Sequence, residues 1–135
     1  MSKTTFAHLR TRLDQGVLIV TVTVPHIHST DFELVDSLRL ELCAAIADLP
    51  HPKVALDLSE IAYFGSAGIR PLLSLRRRLH DVGGQLVLCK LSPQVEDVLR
   101  TTRLISTSSA APAAFDVEAD VALAVARLNR PPLAG

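Results

Sequence analysis

The stretch LDLSEIAYFGSAGIRPLL, Leu56 to Leu73, decides how the rest of the chain is read. It starts on the end of an apolar run, crosses a Gly-Ser-Ala-Gly turn and enters an amphipathic segment. Lys53 to Leu58, KVALDL, is short and mostly apolar, as expected of a strand in the middle of a sheet. After the turn, the spacing predicts a helix to about Val82, with Ile69, Leu72, Leu73 and Leu79 facing inward and Gly83-Gly84 ending it.

Ser66 sits at the joint. Serine is a favoured helix N-cap because its oxygen satisfies an otherwise unpaired backbone N–H. With Ser66 as the cap, however, Pro71 would be the fifth helical residue; it would forfeit the bond to the Ala67 carbonyl, and its ring would crowd that carbonyl. A helix that starts one or two residues later, capped by Ala67 or Gly68, removes most of the conflict. Ser66 is then expected on the exposed shoulder of the helix entrance, with Gly65 and Gly68 leaving space around its hydroxyl.

Working outward, residues 6–12 and 17–24 read as two strands joined by Asp14-Gln15-Gly16, a hairpin signal. Ser29 or Thr30 is expected to cap a helix to about Asp48, with Val35, Leu38, Leu42, Ile46 and Leu49 along one stripe. Gln85 to Leu91 reads as a strand, and Ser92-Pro93 as a cap followed by a first-turn proline opening a helix with Val95, Val98 and Leu99. Residues 106–114 read as a loop or short edge strand. A last helix is expected from about Glu118 to Leu128, with Val121, Val125 and Leu128 on one side. Strands alternating with helices imply right-handed crossovers and a parallel portion, and the hairpin adds an antiparallel one. The fold class is α/β with a mixed sheet. Residues 1–130 are expected to form a single domain and 131–135 a disordered tail.

The 135 residues carry 14 basic and 14 acidic side chains, so no overall field draws the chain to nucleic acid or to an anionic membrane. No run approaches the roughly 18 apolar residues of a membrane span, and MSKTTFAHLR lacks the apolar stretch of a signal peptide. A cytoplasmic location is the expectation. Cys43 and Cys89 lack CxxC spacing and read as small buried hydrophobes. His26-x-His28 would need further ligands to hold zinc, so it reads as a solvated pair and no metal is expected. Arg76-Arg77-Arg78 spans about 200° of a helix surface, too wide for one flat partner. Arg76 lies near the apolar stripe, its stem expected along apolar surface, while Arg77 and Arg78 point outward. With 4% aromatic residues there is no stacking platform for nucleic acid either.

Gly65-Ser66-Ala67-Gly68 lacks the G-x-S-x-G spacing of a nucleophile elbow, and no G-K-[ST] follows to make a phosphate loop. Asp57 lies within the apolar strand, and Glu60 has no evident partner for acid–base work. The residues favour a binding module over an enzyme, and no cofactor is expected. A phosphate on Ser66 would bring about −1.5 to −2 charge beside a helix N-terminus that tolerates an anion, while confronting any partner docked there. Such a modification could block binding and leave the fold intact.

In LDLSEIAYFGSAGIRPLL the segments Asp57-Leu58-Ser59 and Ser66-Ala67-Gly68-Ile69 resemble the signature of STAS domains of the bacterial anti-sigma factor antagonist type: D-L-S on a strand, a hydrophobic turn, then D-S-x-G-[LIV] opening a helix. The order of elements from Gly16 to Leu128 is also similar. The resemblance implies a mixed four- to five-stranded sheet with about four helices packed mainly on one face. It implies partner switching, in which the antagonist binds an anti-sigma factor, usually itself a serine kinase, and frees a sigma factor. The kinase then phosphorylates the motif serine, here Ser66, and a phosphatase reverses it. By motif position Gly65, Ala67, Gly68, Ile69 and Arg70 would form the partner-binding surface; self-association is left open.

Two positions depart from the pattern. Gly65 stands where an aspartate usually precedes the serine, and Ala67 where a second hydroxyl is common. Both a kinase that accepts glycine and a constitutive binder remain compatible with this. The alternative function is a STAS scaffold without phosphorylation, serving another regulatory or transport complex.

Overall fold

The computed structural model describes residues 6–105 and 115–130. The hairpin is formed by β1 (Leu9–Asp14) and β2 (Val17–Val22), antiparallel in the register Leu9↔Val22 to Asp14↔Val17. Gln15 and Gly16 turn the corner with φ of 51° and 78°, the left-handed values that match a two-residue turn to the twist of its strands. A two-residue strand β3 (His26–Ile27) follows, then helix α1 (Phe32–Ile46) and β4 (Lys53–Asp57). Next come β5 (Tyr63–Phe64), one 3-10 turn over Ser66–Gly68, α2 (Ile69–Asp81), β6 (Gln85–Cys89), α3 (Pro93–Thr101), β7 (Asp116–Glu118) and α4 (Val121–Leu128).

The main sheet has five strands in the order β1-β2-β4-β6-β7, parallel from β2 onward; β3 and β5 form a separate parallel pair. The apolar run KVALDL therefore lies at the centre, where Val54, Ala55 and Leu56 are fully buried. Burial of both faces explains why every residue of β2 is buried despite its alternation. Leu18, Val20 and Val22 join the core under α1, α2 and α3 with Leu38, Leu75 and Leu99. Val17 and Ile19 face the other way, onto Ala124, Val125 and Leu128 of α4. Three helices thus cover one face and α4 the other, the expected mixed α/β arrangement. At about 1.5–3 kcal/mol for each fully buried large aliphatic side chain, these two layers supply the main driving force for folding.

Several local expectations need correction. β7 is an unexpected strand and takes Glu118 from the expected start of the last helix: Val87↔Asp116, Leu88↔Val117 and Cys89↔Glu118 pair with β6, and α4 begins only at Val121, where the Asp120 side chain caps Leu123 N–H. The cap residue of α1 is Asp31, not Ser29 or Thr30, and its carboxylate accepts from His28 N–H rather than from the helix. Leu73 points out, 39% exposed, and Leu75 takes the inward position. Arg76 needs no correction: exposed like Arg77 and Arg78, it lines a cavity with Leu79, Leu86 and Phe115, in keeping with a stem along apolar surface. The Ser92-Pro93 start is as expected, with Ser92 Oγ accepting from Val95 N–H. Residues 106–114, read as a loop or short edge strand, and 131–135, read as a disordered tail, lie outside the described residues.

Candidate functional site

The chain reaches Ser66 through a strip held from two sides. Ala62 and Tyr63 N–H both donate to Pro25 O, at 2.7 and 3.0 Å, and Gly65 N–H donates to Ile27 O at 2.7 Å. From the opposite side, Gln94 on α3 accepts from Phe64 N–H at 2.8 Å and donates to Phe64 O at 3.2 Å. One amide side chain thereby pairs both backbone groups of the last β5 residue. Ser92 Oγ adds a bond to Ile61 O at 3.2 Å.

Gly65 is extended (φ −75°, ψ 164°), Ser66–Gly68 form the 3-10 turn, and Gly68 caps α2. Pro71 is consequently the third helical residue, inside the first turn, where its missing N–H has no helical partner to lose. Ser66 makes no capping bond and is exposed. Its Oγ lies 3.4 Å from Ser29 Oγ, a hydroxyl 37 residues away in sequence.

The expectation that the two glycines leave space around that hydroxyl is overturned: both are buried at close contacts. A Cβ on Gly65 would lie 2.9 Å from Ile27 O, 2.9 Å from Ser29 Oγ and 3.0 Å from Ser29 N. A Cβ on Gly68 would meet the Phe64 ring at 2.7 Å. The turn is made of glycine because β3 and the Phe64 ring press against it. Of the residues assigned to a partner surface by motif position, Ser66 and Arg70 are exposed, Ala67 and Ile69 are half-buried, and Gly65 and Gly68 lie beneath.

Ala67 and Arg70 share a shallow cavity of about 250 Å³ with Phe32, Val35, Asp36 and Arg39 of α1. Phe32 is 69% exposed at its rim. Asp36 accepts from Arg39 Nη2 at 2.7 Å, a hydrogen bond that raises the guanidinium pKa above its ordinary value. On the other side, the His26 and His28 rings stack at 6.0 Å, and Tyr63 lies 5.2 Å from His28. Among the described residues no group of three potential metal ligands comes together.

The sequence offers Ser29 only as a helix cap and singles out neither Phe32 nor Gln94, so none of the three is expected at the site. Phe32 carried a usable signal, since it falls three residues before Val35 on the α1 stripe. Ser29 and Gln94 carried none, because their partners are distant in sequence. Beneath the site, the Asp57 carboxylate accepts from Ser59 N–H at 2.9 Å and so shapes the chain leaving β4. Cys89 beside it is fully buried, and burial, followed by the Asp57 charge, pushes its thiol pKa from 9.0 up to about 12.

A mixed sheet with β4 at its centre, a serine on the turn into α2 and α4 on the reverse face define the class: the chain belongs to the STAS domain family, whose family model matches residues 8–119. Within it, the chain is similar to BtrV of Bordetella bronchiseptica, named a candidate anti-sigma factor antagonist. The two are 38% identical over 71 residues, which is 53% of this chain and 60% of BtrV's length. The crystal structure of an anti-sigma factor antagonist from Mycobacterium paratuberculosis shares the fold at TM-score 0.72 and 20% identity, over 90% of this chain and 93% of that one. The Bacillus cell fate determinant SpoIIAA, in its phosphorylated form, matches at TM-score 0.53 and 16% identity, over 70% of this chain and 82% of its own. Among the described residues no helix is long and apolar enough to cross a membrane.

Proposed function

We propose that this chain is an anti-sigma factor antagonist that works by partner switching. In its unmodified form, the face formed by Ser66, Ala67, Ile69 and Arg70 binds an anti-sigma factor of the serine-kinase type, which releases its sigma factor. Gly65 and Gly68 contribute from below by holding the turn in shape. Transfer of the ATP γ-phosphoryl group to Ser66 ends the complex, and a phosphatase restores it.

The observation that carries this reading is the Ser66 hydroxyl itself, exposed beside a partly apolar cavity and released from capping because Gly68 caps the helix. Its hydrogen-bonded neighbour is another hydroxyl, which is no base near neutral pH, so activation must come from a docked kinase. A dianionic phosphate at that point would have to be desolvated by any partner covering the cavity, at a cost that a surface of this kind cannot offset. The names of the related proteins agree with this role.

The test is incubation with ATP and each kinase-type anti-sigma factor of the same genome, followed by mass-spectrometric mapping. Modification at Ser66, its loss in Ser66→Ala, and loss of binding in Ser66→Asp are the expected results. Modification elsewhere, or none with any candidate, refutes the switch. Binding that persists in Ser66→Asp points instead to a scaffold that does not respond to charge at this position.

A further inference from the structure

We propose that Ser29 is the positioning residue of the switch: its hydroxyl holds the Ser66 hydroxyl in one orientation and then donates to the phosphate formed there. The proposal rests on the partner-switching reading for the first half of that role, and on geometry alone for the second.

The two hydroxyls approach from independently anchored segments. Residues 28–31 close a tight turn in which Asp31 N–H donates to His28 O at 3.0 Å and His28 N–H donates to the Asp31 carboxylate at 3.1 Å. Ser66 is held by the 3-10 turn that Gly68 N–H closes onto Gly65 O at 2.9 Å. Between them, Ser29 Oγ fills the volume that a side chain on residue 65 would take, 2.9 Å from that missing Cβ. The Ser29 hydroxyl and the glycine at 65 are therefore two halves of one arrangement. Ser29 reaches Ser66 only because residue 65 has no side chain.

The chemistry assigns the donor. In phosphoryl transfer the Ser66 Oγ–P bond forms as the bond from the γ-phosphorus to the ADP oxygen breaks, and the Ser66 hydroxyl proton passes to a base of the kinase. The Ser66 proton must therefore point outward, which places Ser29 as donor and Ser66 Oγ as acceptor. Once the phosphate is attached, the same Ser29 O–H lies beside its oxygens. A hydrogen bond from a neutral donor to a phosphate favours the more highly charged form. Ser29 thereby lowers the second pKa of the phosphate and increases the fraction of dianion that repels the partner.

The deciding measurement is a phosphorus NMR pH titration of protein carrying phosphoserine incorporated at position 66 during translation. Compared with wild-type Ser29, the Ser29→Ala variant should titrate higher by about half a unit, roughly a threefold change in the proton equilibrium. Ser29→Thr, which keeps a hydroxyl, should restore the lower value. His28 and Asp31 flanking Ser29, Tyr63 on β5 and Arg70 on α2 are common to all three proteins, so the difference isolates the hydroxyl. With a competent kinase, Ser29→Ala should also lower kcat for Ser66 about three- to tenfold at nearly unchanged KM. A phosphate titration identical in Ser29 and Ser29→Ala, or a Thr variant that behaves like Ala, overturns the proposal. If no kinase modifies Ser66, the proposed function falls, while the titration still decides whether Ser29 engages the phosphate.

Discussion

A single methyl group at position 65 tests the packing of the Ser66 turn. In Gly65→Ala the new Cβ would lie 2.9 Å from both Ile27 O and Ser29 Oγ and 3.0 Å from Ser29 N. Two of these neighbours are backbone atoms, so rotation of the Ser29 side chain relieves only one contact. The β3–β5 pair has to open, and the 2.7 Å bond from Gly65 N–H to Ile27 O lengthens with it. Overpacking of this kind costs about 1–3 kcal/mol, and a weakened backbone hydrogen bond adds about 0.5–1.5 kcal/mol. Taking about 2 kcal/mol, and an unfolding entropy of about 0.28 kcal/mol/K for 135 residues, the melting temperature should fall by about 7 °C. Gly65→Asp, which introduces the acidic residue usual before the motif serine, should fall further, since its carboxylate enters the same crowded space. It should also be a poorer kinase substrate than wild type, because the Ser29–Ser66 contact is lost. Calorimetry of the three proteins, with hydrogen exchange at the residue 65 amide, reads the packing loss, and phosphorylation rates with a competent kinase read the substrate effect. An Ala variant melting within about 2 °C of wild type with an equally protected amide would refute the packing account.

Gln94→Ala removes the side chain that pairs both backbone groups of Phe64. Leaving those half-buried groups without that partner should cost about 1–3 kcal/mol in chemical denaturation and speed amide exchange at Phe64 more than in β4. Cys89 should resist iodoacetamide in the native protein at pH 8, whereas the half-buried Cys43 reacts; mass spectrometry after unfolding should recover Cys89 as a free thiol. Because the Cys89 thiol is raised from 9.0 to about 12, the unfolded chain loses this proton first as pH rises. Its contribution is intact below pH 9 and is lost progressively toward pH 12, so stability should decline across that window and decline less in Cys89→Ala.

Elements whose causes are local could be read directly from the chain. The Asp14-Gln15-Gly16 turn, the apolar KVALDL strand, the Ser92-Pro93 helix start and the stripe from Val35 to Ile46 each depend on neighbours within a few residues. The conflict between Ser66 as a cap and Pro71 in the helix was local too; it left Ala67 or Gly68 as the cap, and the structure takes Gly68, with α2 from Ile69. Shorter pairings were not legible. β3, β5 and β7 span only two or three residues each, too few for periodicity to show, and they exist because a distant segment supplies their hydrogen bonds.

The same division runs through the site. Sequence alone singled out Ser66 as the candidate and pointed to the family to which its turn belongs, since that signature lies within Leu56–Leu73. Only the tertiary structure decided why the neighbouring residue is glycine and what the serine touches. Those answers come from contacts between Gly65 or Ser66 and the Ile27–Ser29 segment, brought together by a parallel pairing across 37 residues. A glycine that reads as open space in one dimension is, in three, packed too tightly against Ile27 and Ser29 to carry a side chain.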